Sequence, residues 1–432
     1  MCILVNSTIG SVQLIRGEHS DWKSSTAPNH INIGLTLELN PRNRTHSRME
    51  WSKSIVLDPK SKQMKSKSII WNHANYSTSV VVPSEPSSRE KDRSCKQFTT
   101  IGKIFNYNTP KEFGSGDKIS IVGLDDIGMA IVYTLLVKEI TNNICMIDMN
   151  EEILQGEHMD LQSSALFLNN PKITSSKDPA DTVNSKVCII TTGTYKGRDE
   201  NELDYVARNA GIIRAIVGPL AKYSPDAIYI VASDPVDILS YVTWKLIGIR
   251  KQNIIGTGTM VDTARFRYML AEKFGVAPEC CHAYIIGQHG VANSVPVWSN
   301  VSIAGVRLVD VNPQIGTDKD PEMWNEVYRD AVRCDGLVRQ LKGNVCWSIG
   351  LAVAEICKAI FTNSYTVLPV STYVKGEHCI RDEVFLSLPC VVGRAGVTDI
   401  IRQTLSDQEA TVLRRGAENV AHIQEAANKI IS

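Results

Sequence analysis

No sign of charge predominates in this chain: 46 Lys and Arg stand against 46 Asp and Glu, for a formal net charge of zero at pH 7. That balance gives no electrostatic ground for a nucleic-acid partner or an anionic membrane surface. No apolar run reaches the roughly 18 residues that span a bilayer, so no membrane partner is expected. There is no CxxC pair. The 11 cysteines are scattered, with Cys280 and Cys281 adjacent, a pattern of reduced thiols rather than of a disulfide frame or a zinc site. No metal is expected. The opening Met1-Cys2-Ile3-Leu4-Val5 is apolar but gives way at Asn6, too short for a signal-peptide core. The sequons at Asn6, Asn43 and Asn75 are therefore expected to carry no glycan.

What is present is the composition of a globular enzyme, with 43% hydrophobic and 21% charged residues. The 432 residues suit two or three domains. Composition changes sharply near residue 95. Residues 1–95 are rich in Ser, Asn, Lys and Arg and show only short apolar patches, such as Ile69-Ile70-Trp71 and Val80-Val81-Val82. With no sustained period of 2 or 3.6, they are expected to be a largely disordered extension. A mitochondrial transit peptide is basic and poor in acids, whereas Glu18 and Asp21 come early and Arg16 stands nearly alone. The expected location is cytoplasmic, with a mitochondrial one as the alternative.

From residue 117 the pattern is that of alternating strands and helices. Lys118–Gly123 is a short apolar run ending in glycine, consistent with a buried strand. Residues 127–138 have the length and composition of a buried helix, and Ile144–Asp148 gives a second strand ending in an acid. Further apolar strands follow at Val187–Thr191 and Ile228–Ala232, with helical stretches between. This alternation implies βαβ units, a parallel sheet and an open α/β fold.

Strand, Gly-rich turn, helix, strand and acid is the order of a dinucleotide-binding unit. Asp148 lies 20 residues beyond Gly128, where a carboxylate accepts hydrogen bonds from the adenine ribose rather than serving as a solvated loop residue. It also repels a 2′-phosphate, which favours NAD over NADP. The turn departs from Gly-x-Gly-x-x-Gly: it reads Gly123-Leu124-Asp125-Asp126-Ile127-Gly128, with Asp125 at the second glycine. That glycine lets backbone approach the pyrophosphate. A carboxylate there obstructs the approach and faces two phosphate charges, which a helix dipole of about 0.3–1 kcal/mol offsets only in part. Weakened NAD affinity is expected.

Hydride transfer at a 2-hydroxy acid needs an acid/base for the hydroxyl proton, a cation for the carboxylate and a positive group at the carbonyl oxygen. Met260–Arg267 supplies Asp262 and Arg265 about one helical turn apart, and Gly287-Gln288-His289-Gly290 sets a His between glycines. Taken singly, these are more simply a helix cap, a surface charge and a loop residue.

Together with Ser233-Asp234-Pro235-Val236-Asp237-Ile238-Leu239, Val295–Ser299, Gly316–Asp320, Trp347–Leu351 and Val384–Cys390, these segments resemble L-lactate dehydrogenase of the lactate/malate dehydrogenase family. The resemblance runs in order through nearly all of residues 96–432. It implies an N-terminal arm at 96–116, a Rossmann-type doubly wound parallel sheet binding NAD at 117–260, and an α+β catalytic domain at 261–432. By position, His289 matches the proton donor and acceptor, Asp262 the carboxylate that orients it, and Arg265 the guanidinium that grips the substrate carboxylate. Tyr195 falls with Gly123, Asp125, Gly128, Asp148 and Asp234 among the expected cofactor-binding positions.

Other positions break the family pattern. The loop Thr192–Leu203 matches one that closes over substrate and carries a carbonyl-polarising Arg, and an ungapped match puts Glu202 there. Losing one such stabiliser costs about 2.7–4 kcal/mol. Arg198 is the candidate replacement. Lys196 falls where the family has the Gln that selects pyruvate, Asp234 replaces an Asn, and Val345 replaces a Thr near the substrate. Val291 follows His289-Gly290 where the family has Asp.

The expected function is NAD-dependent interconversion of pyruvate and L-lactate, weakened by Asp125 and Glu202. The alternatives are an inactive homologue (a pseudoenzyme) acting as a binding or oligomer subunit, and a dehydrogenase of malate-like specificity. The resemblance also implies a homotetramer, or a hetero-oligomer with active relatives.

Overall fold

The computed structural model describes residues 116–431 apart from Arg198, Val291 and Ala292, and before them only the backbone pairing of four short strands. Those strands form two antiparallel pairs, Cys2–Val5 with Val12–Ile15 and His30–Gly34 with Ser52–Val56. The rest of the extension expected over 1–95, and the arm expected over 96–116 except Gly116, lie outside the described residues.

The first half of the described chain alternates as its sequence implies. In order come β1 (Ile119–Val122), α1 (Asp126–Val137), β2 (Asn143–Ile147), α2 (Glu151–Ser163) and β3 (Lys172–Ser176). Then follow β4 (Val187–Ile190), α3 (Glu202–Tyr223), β5 (Ile228–Val231), α4 (Val236–Ile247) and β6 (Ile254–Gly256). The six strands are parallel, in the order β3-β2-β1-β4-β5-β6. Strands β1, β2, β4 and β5 are buried along their whole length. Their mostly apolar runs, interrupted only by Ser120 in β1 and Asn143 at the start of β2, are what a sheet covered on both faces requires. The strand order reverses between β1 and β4, and ligands of such sheets bind in the crevice beyond the strand ends at that point.

The second half adds α5 (Met260–Phe274), β7 (Ile285–Gly287), β8 (Ser294–Pro296), α6 (Asn325–Lys342) and α7 (Trp347–Thr362). It ends with β9 (Thr366–Tyr373), β10 (Phe385–Gly393), β11 (Gly396–Ile400) and α8 (Asp407–Ile431). Strand β9 pairs antiparallel with β6, so one eleven-stranded sheet runs through both halves. Helix α8 buries Leu413, Ala417, Val420 and Ala427, a helical stripe that packs on α3 and α4.

A smaller core decides the placing of the site. Phe266 and Leu270 of α5 are fully buried with Trp298, Trp324, and Ala331 and Val332 of α6. The Phe266 ring meets Trp298 edge-on at 5.1 Å between centroids. Burying Phe266 and Leu270 contributes about 1.5–3 kcal/mol each. This packing holds α5 against α6, so that Arg265 meets Asp335, one turn beyond Ala331.

Candidate active site

The turn between β1 and α1 is shaped by its two outer glycines. A Cβ on Gly128 would lie 2.0 Å from the Gly123 carbonyl oxygen, so a side chain there would force helix and turn apart. Gly123 has φ +102°, and a Cβ on it would meet Thr191 Oγ1 at 2.7 Å. Asp148 follows β2, half-buried, and its two carboxylate oxygens accept from the Leu124 and Asn150 amides, both at 2.8 Å. Asp125 caps α1: its Oδ1 accepts from the amides of Ile127 at 3.1 Å and Gly128 at 2.9 Å. Such helix N-terminal amides are donors suited to a phosphate. The turn thus fits a dinucleotide at its glycines and at Asp148, and opposes one at Asp125. Burial holds the Asp125 carboxyl above its ordinary range, against the lowering by its two amide bonds. Asp125, Ile127, Gly193, Tyr195, Ser233 and Asp234 line one cleft.

Across the sheet, Asp262 sits in the first turn of α5 and is fully buried. His289, in the loop after β7, brings Nδ1 to 2.6 Å from Asp262 Oδ2. Burial of the imidazole opposes its protonation, but Asp262, Asp234 and Asp335 together overcome that and hold its pKa up at about 10. The ring keeps about 20% of its side-chain surface exposed. The loop is fixed from behind by Asp237, a buried residue of α4. It accepts from the His289 amide at 3.0 Å and from Ser371 Oγ at 2.5 Å, and burial pushes its own pKa up to about 6.

Arg265 lies one turn beyond Asp262. Its Nη2 is 3.2 Å from Asp335 Oδ1, while Nη1, 3.9 Å from Asp262 Oδ1, is buried with no hydrogen-bond partner. A buried guanidinium nitrogen without an acceptor is rare and costly, and is a natural place for a ligand oxygen. The structure therefore brings His289, Asp262 and Arg265 together.

Asp234 is not left as a lone negative charge. Arg339 of α6 pairs with it through Nη2 and with Asp335 Oδ2 through Nε at 2.7 Å, while its guanidinium lies 4.8 Å from the Tyr195 ring centre. Asp237, Asp335 and Arg339 were not singled out from sequence. Asp237 was legible only as the second acid of Asp-Pro-Val-Asp, and Asp335 and Arg339 as opposite charges four apart on one helix.

The loop residues are placed differently. Glu202 is the exposed first residue of α3, behind the capping Asn201. An acid there is favoured by the helix dipole. Arg208, farther along α3, binds Glu200 and so ties down the segment that carries exposed Lys196. Val345 is buried in the α6–α7 connection. Arg198 and Val291 lie outside the described residues. The described cysteines are free thiols. Among the described residues no group of three or more His, Cys, Asp or Glu is placed to hold a metal ion, and no helix is long and apolar enough to cross a membrane.

A Rossmann-type turn whose cleft includes Asp234, with an imidazole–carboxylate pair influenced by that same Asp234 and a buried guanidinium beside it, points to a class, the nucleotide-dependent dehydrogenases that act on small acids. Comparison with known proteins narrows it. Residues 117–256 match the NAD-binding domain of lactate/malate dehydrogenase, and residues 259–430 match that family's alpha/beta C-terminal domain. The L-lactate dehydrogenase A chain of Danio rerio is 44% identical over 312 residues, 72% of this chain and 93% of that one. The B chain of Homo sapiens is 45% identical over 309 residues, covering 72% and 92%, and that of Gallus gallus 45% over 320, covering 73% and 96%. The chain belongs to the lactate/malate dehydrogenase family.

Proposed function

We propose that this protein interconverts pyruvate and L-lactate with NAD, at a rate and cofactor affinity reduced by Glu202 and Asp125. The observation that carries the reading is the 2.6 Å bond between His289 Nδ1 and Asp262 Oδ2, one helical turn from Arg265, whose buried Nη1 makes no hydrogen bond. With Nδ1 committed to Asp262, Nε2 of His289 is the nitrogen left to serve a ligand. Held protonated through neutral pH, it donates its proton to the carbonyl oxygen in reduction and recovers it in oxidation. Asp262 orients the ring and stabilises its charge. Arg265 holds the substrate carboxylate, with Nη1 supplying the first bond. The nicotinamide, when bound, supplies or accepts the hydride at the substrate's second carbon. Gly123, Gly128 and Asp148 would hold the adenosine and pyrophosphate end, and Tyr195 and Asp234 the nicotinamide end.

Two features argue for reduced activity. Asp125 already occupies amides that a pyrophosphate would use, and Glu202 brings a negative charge where the family's loop brings a positive one. The exposed apolar side chains Leu166, Phe167, Leu341 and Trp347 suit subunit contacts in a homotetramer or in a hetero-oligomer with active relatives. Free thiols suit a cytoplasmic setting.

NADH fluorescence titration with a pyruvate-reduction assay on the purified chain tests this. Weak NADH binding and slow turnover are expected. Turnover at the rate of an unimpaired dehydrogenase would remove the weakened reading, and NADH binding with no turnover would favour an inactive subunit. The exposed cation Lys196 in the loop supports one further reading, a dicarboxylate substrate. Turnover confined to oxaloacetate would favour it, and Lys196→Gln should then restore preference for pyruvate.

A further inference from the structure

The geometry points to Asp335 as a residue that competes with the substrate's carboxylate for Arg265 and so weakens substrate binding. The inference rests on the role of Arg265 proposed above and adds a group that role did not include. A guanidinium binds a carboxylate best through two parallel N–H bonds. Here one of the two terminal nitrogens of Arg265, Nη2, is 3.2 Å from Asp335 Oδ1, and the other, Nη1, is buried without a hydrogen bond, 3.9 Å from Asp262 Oδ1. A monocarboxylate arriving at Arg265 finds half the fork taken by a side chain of its own chemistry.

Asp335 is well placed to hold that position and also to leave it. Its carboxyl is largely shielded, and burial raises its pKa, but Arg339, His289 and Arg265 outweigh burial and keep it below the ordinary range. It is therefore an anion at neutral pH. Its second oxygen stays on Arg339 Nε at 2.7 Å, so releasing Arg265 does not strand a buried charge. Arg339 in turn is anchored to Asp234 and lies over Tyr195. The four groups Arg265, Asp335, Arg339 and Asp234 make a chain of alternating charges with no net charge, and of its links only the one to Arg265 has to open for a ligand. The competing contact raises the concentration at which a small 2-oxo acid occupies the site.

The test is titration of oxamate, the amide isostere of pyruvate, into the full chain and its Asp335→Asn and Asp335→Ala variants, with and without saturating NADH. Both variants should bind oxamate about tenfold more tightly than the parent, equal to about 1.4 kcal/mol, and lower the KM for pyruvate by a similar factor. Asp335→Glu should stay near the parent. If Asp335 merely props Arg265 in place, the sign reverses, and both neutral variants bind more weakly. Unchanged or weaker oxamate binding in both neutral variants, with melting curves showing them folded, would overturn the proposal. Because the titration is also run without cofactor, it decides the role of Asp335 even if NADH fails to bind. Failure of the dehydrogenase reading would show separately, as absence of NADH binding and of pyruvate reduction in parent and variants alike.

Discussion

Replacing Asp125 by glycine isolates the change that most directly opposes the cofactor. In the structure its carboxylate takes the amides of Ile127 and Gly128 at 3.1 and 2.9 Å, the donors a phosphate would use. Two unit charges 4 Å apart interact by about 1 kcal/mol in bulk water and about 4 kcal/mol at the effective dielectric near a protein surface. At 1.4 kcal/mol per tenfold, removing the carboxylate should tighten NADH binding by about five- to 800-fold. The loss to the fold is small, because glycine at an N-cap costs only a few tenths of a kcal/mol. The extended backbone of Asp125, φ −72° and ψ −175°, suits glycine without strain. Fluorescence titration of NADH against parent and Asp125→Gly, with melting curves for both, gives the comparison. It should be repeated at falling pH. Burial raises the Asp125 carboxyl above its usual range, so acidification neutralises it before ordinary carboxylates. Parent affinity should then approach that of the variant, whose own pH dependence lacks this component. Equal or weaker NADH binding by Asp125→Gly would refute the account, and would mean that the cap and the pyrophosphate do not share those amides.

Three further outcomes are expected. Glu202→Arg should raise kcat for pyruvate reduction at least tenfold, since one oxyanion stabiliser is worth about 2.7–4 kcal/mol and a cation at the first turn of α3 costs about 0.3–1 kcal/mol; an unchanged kcat in steady-state assays would put residue 202 outside the reacting loop. His289→Asn should lower kcat by about 10²–10⁴-fold, and in the parent the reduction rate should fall only as pH approaches about 10, where the imidazole loses its proton. The same raised pKa makes the His289–Asp262 pair contribute stability that is complete below the unfolded His value of about 6.5 and lost as pH rises through about 10. Urea midpoints of parent and His289→Asn should therefore converge on the alkaline side, and a gap that widened there would contradict the sign.

The sequence by itself determined the doubly wound sheet, because apolar strands that must be buried on both faces leave a local pattern that survives without neighbours. Helix α1 begins at Asp126 and ends at Val137, close to the expected 127–138, and Asp148 does follow a buried strand. The spacing of Asp262 and Arg265 and the glycines around His289 were likewise legible, since each depends on a few adjacent residues. What only the tertiary structure decided is how charges distant in sequence compensate one another. The charge that Asp234 adds is balanced by Arg339, 105 residues away. One nitrogen of Arg265 is held by Asp335, 70 residues on. Ion pairs of this kind form between elements brought together by a shared core, here Phe266 and Leu270 against Ala331 and Val332. Hydrophobic periodicity records that each helix has a buried face, and carries no mark of which charge will stand opposite.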